Sequence, residues 1–112
     1  MNDSSKAENL EEKVSSLMNL VEYQDDTVVS RTLIDKTAAT VTLFAFGETQ
    51  GLSEHTAPFD AIAYIVDGEA EITIAENKHH LKQGEMIIMP ANIPHALKAI
   101  KKFKMLLIMI KS

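Results

Sequence analysis

The stretch Gly51-Leu52-Ser53-Glu54-His55-Thr56-Ala57-Pro58-Phe59-Asp60-Ala61-Ile62-Ala63-Tyr64-Ile65-Val66-Asp67-Gly68 decides the fold. Its second half is a run of small, β-branched and aromatic residues closed by Asp-Gly, the pattern of a strand and its turn. Glycine suits that turn because a positive φ costs it nothing. A second stretch, Gly84-Glu85-Met86-Ile87-Ile88-Met89-Pro90-Ala91-Asn92-Ile93-Pro94-His95, carries a short apolar run between a Gln-Gly turn and a proline-rich loop. Outward from these two, the chain from Val28 onward repeats one pattern. Short runs rich in Val, Ile, Thr and Phe are bounded by turn residues. Strands are expected near 28–34, 38–46, 52–56, 61–67, 69–75, 79–81, 86–89, 95–100 and 103–110. Turn signals sit at Gly47, Gly51, Asp67-Gly68, Glu76-Asn77-Lys78 and Gln83-Gly84. Strands with no helix between them imply an all-β sandwich or barrel.

The N-terminal 27 residues read differently. Ser4 or Ser5 can cap a helix with Glu8 in its first turn, and Leu10, Val14, Leu17 and Met18 follow at helical spacing. The expected organisation is an arm with a short amphipathic helix over 1–27, then a barrel over 28–112. A chain of 112 residues supports one core. Without cysteine there is neither a disulfide framework nor thiol chemistry. No apolar run reaches the roughly 18 residues that would span a bilayer, and the polar, acidic start is unlike a secretory signal. The cytoplasm is therefore the expected compartment, with no membrane partner. A net charge of −5 argues against nucleic acid as the main partner. Acids crowd the first 26 residues, and five lysines with no acid occupy 98–112. Two solvated surfaces are expected there rather than an ion-paired junction, since exposed pairs contribute little.

Together the two stretches resemble the signature motifs of the cupin superfamily, G-x5-H-x-H-x3/4-E-x6-G and G-x5-P-x-G-x2-H-x3-N. His55 and Gly68 match the first, and Gly84, Pro90 and His95 match the second. The resemblance implies a cupin β jelly-roll barrel (a double-stranded β-helix). The departures are specific. Ala57 stands at the second histidine, Ala61 at the glutamate and Ala99 at the closing asparagine, while Gly47 and Gly51 flank the place of the opening glycine. Asn92 replaces the second motif's inner glycine, and asparagine tolerates a left-handed backbone well.

In metal-binding cupins three histidines and a glutamate hold a divalent ion. By this resemblance His55 and His95 survive as ligands here, which implies at most a weakly bound metal such as Zn, Ni, Fe or Mn. Asp60 is a possible third ligand if Pro58 bulges the strand and turns it inward. Ala57, Ala61 and Ala63 fall at inward positions of the motif. They either leave room for a small organic ligand against His55, Met89 and His95, or are covered by Met89, Met105, Phe44 or Phe46. His79 and His80 are adjacent on a strand and point to opposite faces. No nucleophile triad and no phosphate-binding loop is present. Three functions remain in view: a small-molecule-binding cupin with a depleted metal site; a metal-dependent dioxygenase, isomerase or decarboxylase; and a structural domain with a filled barrel. A homodimer is expected, because small β barrels expose strand edges that need cover.

Overall fold

The computed structural model describes residues 9–111. Its strands are β1 (Val28–Asp35), β2 (Ala39–Phe46), β3 (Gly51–His55), β4 (Asp60–Ile74), β5 (Asn77–Lys82), β6 (Met86–Met89) and β7 (His95–Ile110). They form one antiparallel sheet in the order β1-β2-β7-β4-β5, with β3 added on β7 and β6 on β4. This is the all-β jelly-roll barrel that the motifs imply.

Seven strands replace the nine expected, because two boundaries turn out to be bends. Asp67-Gly68 does not end a strand. β4 runs through it, and the pairing with β7 shifts register between Ile65 and Ala70. Gly68 has φ +80°, and a Cβ there would overlap the carbonyl oxygen of Lys102. The glycine therefore serves a bulge where two long strands bend together, not a hairpin. Asn92 has φ +66°, the left-handed turn expected of it.

The interior is one continuous buried cluster that includes Phe46, Ala61, Ala63, Met89, Phe103 and Met105. Phe46 and Phe103 stack at 4.4 Å between centroids, with planes 8° apart. A second cluster lies on the outer face, where Leu43, Ala45 and Val66 meet Val21 of the arm.

The arm is not the helix that its spacing suggests. Leu17–Asn19 forms a single 3-10 turn, and residues 9–16 are not helical. Residues 5–8 of the expected helix, with its Ser4 or Ser5 cap, lie outside the described residues. Glu12 adopts φ +61°, which no helix accommodates, and Val14 is fully exposed. Leu17, Leu20, Val21 and Tyr23 of the arm instead lie down on the sheet, in the outer cluster. Tertiary packing overrides a short stretch whose own nucleation is unfavourable.

Polar contacts fasten the arm. The Tyr23 hydroxyl donates to Asp67 Oδ2 at 2.6 Å, and Arg31 donates to the Leu20 carbonyl at 3.1 Å. Lys104, which is buried, donates to the Met18 carbonyl. Burial, and then Asp67, pushes the Tyr23 hydroxyl well above its ordinary range, so it remains a donor. Lys104 thus departs from the solvated role expected of the lysine-rich segment, whereas Lys98, Lys101 and Lys102 are exposed.

Candidate functional site: a histidine pair at the barrel mouth

His55 ends β3 and His95 begins β7, and the two are cross-strand partners. Their pairing depends on an irregularity. Leu52 pairs with Leu97, so regular alternation would set Glu54 opposite His95. One extra residue in β3 sets His55 there instead. The loop before His95 is tied down on three sides. Asn92 N donates to the Ala57 carbonyl at 2.7 Å, and Ala75 N donates to the Pro94 carbonyl at 2.8 Å. Ala91 N donates to Asp60 Oδ1, also at 2.8 Å.

The two imidazoles meet edge to face, with centroids 4.4 Å apart and planes at 71°. Nε2 of one lies 3.1 Å from Nε2 of the other. Each Nδ1 faces a backbone carbonyl two residues earlier: His55 to Ser53 O at 2.7 Å, His95 to Ile93 O at 3.3 Å. A carbonyl only accepts, so each Nδ1 carries its proton and each neutral ring presents a lone pair at Nε2. Two lone pairs at this separation repel unless something electrophilic lies between them. The pair is built to share one proton or to face one cation or polar ligand.

Burial differs across the pair. His95 is buried while His55 is exposed, so the site opens on the His55 side. Desolvation pushes the His95 imidazole below its ordinary 6.5; the Ile93 carbonyl opposes this and the neighbouring His55 reinforces it. The folded protein therefore holds a proton on His95 less tightly than the unfolded chain does. Its contribution to stability is full above 6.5 and declines as pH falls through that value. Glu69, lowered first by its bond to His80 and then by that to Lys101, acts only below the ordinary carboxylate value of 4.5, in a separate window. The unfolding temperature should drop as the pH falls below 6.5, and His95→Gln should flatten that slope. An unchanged slope in the variant would place the dependence elsewhere.

The other candidate residues fall in different places. Asp60 does not turn toward the histidines; its carboxylate holds the Ala91 amide. Among the described residues, no three His, Cys, Asp or Glu side chains gather where a metal could be held. Ala61 pairs with Met89 across β4 and β6, and both are buried in the interior cluster with Ala63. Phe44 packs against the same cluster, so these side chains occupy the space beside the alanines. Ala57 is half-buried and enters the site through its carbonyl. Sequence reasoning missed the Ser53 and Ile93 carbonyls. Their only signal is a shared relation, each lying two residues before a histidine.

A family model described as Cupin domain matches residues 41–111, most of the chain and all of the site. The chain belongs to the cupin superfamily. A conserved protein of unknown function from Streptococcus pyogenes is 39% identical, with 94% of this cupin and 93% of that chain covered and a TM-score of 0.88. A cupin superfamily protein from Desulfitobacterium hafniense is 30% identical over 94% of this chain and 97% of that one, also with a TM-score of 0.88. A 3-hydroxyanthranilate 3,4-dioxygenase of Xenopus laevis is 38% identical over 58 residues, which are 48% of this cupin and 21% of that protein. The chain thus spans about a fifth of the length of the curated relative it matches.

The donor set does not fit a resident catalytic metal of the family's four-ligand kind. A catalytic centre with open positions keeps about three protein ligands, and this site brings together two imidazoles and no carboxylate.

Proposed function

We propose that this cupin is a binding module whose His55–His95 pair holds a small organic molecule bearing a hydroxyl or carboxyl group. The observation that supports it is the convergence of two Nε2 atoms at 3.1 Å, with both Nδ1 atoms already tied to carbonyls. A neutral Nε2 accepts from a hydroxyl, and the proton shared by the pair is donated to a carboxylate. Because the interior is packed, the ligand sits at the rim beside exposed His55.

The metal-dependent enzyme is the second reading, favoured by the match to the dioxygenase. The two separate in one experiment. Chelator-dialysed protein is assayed for metal content and then titrated with acetate, lactate and phenol, following the histidine ring signals by NMR. The proposal expects less than one equivalent of metal and saturable shifts of both rings with at least one probe, abolished in His55→Ala. One equivalent of metal retained through dialysis would overturn it in favour of the enzyme. Rings that no probe moves would leave the filled barrel as a structural domain.

A further inference from the structure

Among the described residues, four strands pair on one side only: β1, β3, β5 and β6. Three of these edges are interrupted. β1 carries a register shift between Thr32 and Ile34, β3 another between Leu52 and His55, and β6 runs for four residues into Pro90. Such devices keep an edge from pairing further. β5 lacks them. Its six residues pair with β4 without a shift, and all but Leu81 are exposed.

The backbone of β5 points alternately to β4 and to the open edge. Ile74 and Asn77 close a turn over Ala75 and Glu76, with Ala75 at φ +56°. The closing pair of a two-residue hairpin is hydrogen-bonded, so Asn77, His79 and Leu81 direct their amides and carbonyls to β4. Those of Lys78, His80 and Lys82 face the edge. Glu85 satisfies the last of them: Lys82 N donates to Glu85 Oε1 at 2.8 Å, and Glu85 N donates to the Lys82 carbonyl at 2.9 Å. Among the described residues nothing does the same for Lys78 and His80. Their amides and carbonyls stand open in strand register, beside an amide that already holds a carboxylate.

The side chains of the same three residues face away from the buried Leu81, on the outside of the barrel. There the charge alternates from strand to strand. Lys98 and Lys101 of β7 stand opposite Glu71 and Glu69 of β4, which in turn stand opposite His80 and Lys82 of β5. Glu69 is bound from both sides, by His80 Nε2 at 2.9 Å and by Lys101 Nζ at 3.2 Å. Lys78 and Lys82 make no ion pair among the described residues.

We infer that the open edge of β5 receives an extended acidic segment of another polypeptide, which joins the sheet as a further strand. Acids at alternate positions of that segment stand opposite Lys78 and His80 and continue the alternation of basic and acidic rows. The residues between them lie on the inner side with His79 and Leu81, where apolar side chains suit the buried Leu81. Main-chain bonds supply the affinity and the alternating side chains the specificity. A second copy of β5 is the wrong occupant, because it sets lysine and histidine against lysine and histidine. His55 and His95 take no part, so the inference stands apart from the proposed function.

The test uses the full chain at low ionic strength and a rhodamine-labelled, amidated Glu-Val-Glu-Val-Glu peptide, followed by fluorescence anisotropy. A Lys-Val-Lys-Val-Lys peptide is its counterpart. The acidic peptide should bind saturably and at least tenfold more tightly, and amide exchange at Lys78 and His80 should slow in the complex. His80→Pro removes a donor that β4 does not use and should weaken binding at least tenfold. Lys78→Glu with Lys82→Glu leaves the backbone intact and should reverse the preference between the peptides, a gain that misfolding cannot produce. Absence of saturable binding at millimolar peptide would overturn the inference. So would exchange protection confined to other strands, or a preference for the acidic peptide that survives both glutamates.

Discussion

Gly68→Ala is expected to remove about 3–5 kcal/mol of stability. Two costs add at this position. The backbone sits at φ +80°, and the added methyl would overlap the Lys102 carbonyl oxygen. The left-handed conformation alone costs a residue with a Cβ about 1–2 kcal/mol. The overlap is with backbone of β7, which is paired to β4 on both sides of the bulge and cannot retreat without breaking that ladder. Gly84→Ala provides the comparison. Gly84 has φ +89°, but nothing lies near the place its Cβ would take. It should lose only the conformational part. Urea unfolding with an unchanged m-value measures both. Equal losses would show that close approach of the strands is not what demands glycine at 68.

Ala61→Glu is the second large effect, and its sign depends on metal. Ala61 is 5% exposed and lies among apolar side chains. A carboxylate placed there alone is an uncompensated buried charge, with an expected cost of about 3–5 kcal/mol. Combined with Ala57→His, it restores the family's ligand pattern by resemblance. Zinc should then stabilise the double variant by about 2.7 kcal/mol at a hundredfold excess over its dissociation constant, and leave the wild type nearly unmoved. Thermal unfolding with and without zinc reads this directly. Equal stabilisation of both proteins would mean that the wild type already possesses a third ligand.

The fold was legible in the sequence because its signals are local. Asp67-Gly68, Gln83-Gly84 and the β-branched runs mark strand ends and bends wherever they occur. What could not be read was whether a turn signal ends a strand or bends it. That depends on β7 passing beneath Gly68, a contact with Lys102 and Phe103 far along the chain. The N-terminal spacing of Leu10, Val14 and Leu17 misled for a related reason. Helical periodicity records which residues are apolar, and the outer face of the sheet took Leu17, together with Leu20 and Tyr23, while Val14 was left in solvent. At the site, His55 and His95 were legible from motif spacing. Their mutual geometry was not, because one extra residue in β3 decides whether His55 or Glu54 faces His95. Asp60 was unreadable in the same way, since its carboxylate is taken by the Ala91 amide in a distant loop.

His55 and His95 present their Nε2 atoms to each other. The nitrogen spectrum of the four imidazoles, recorded at neutral pH on metal-free protein, tests it most directly. The structure predicts that His55 and His95 both carry the Nδ1 proton, each held by a backbone carbonyl, and that both Nε2 atoms show the signal of an unprotonated ring nitrogen. His79→Gln and His80→Gln assign the remaining two rings. An Nε2–H tautomer at His55 or His95 in the metal-free protein would contradict it.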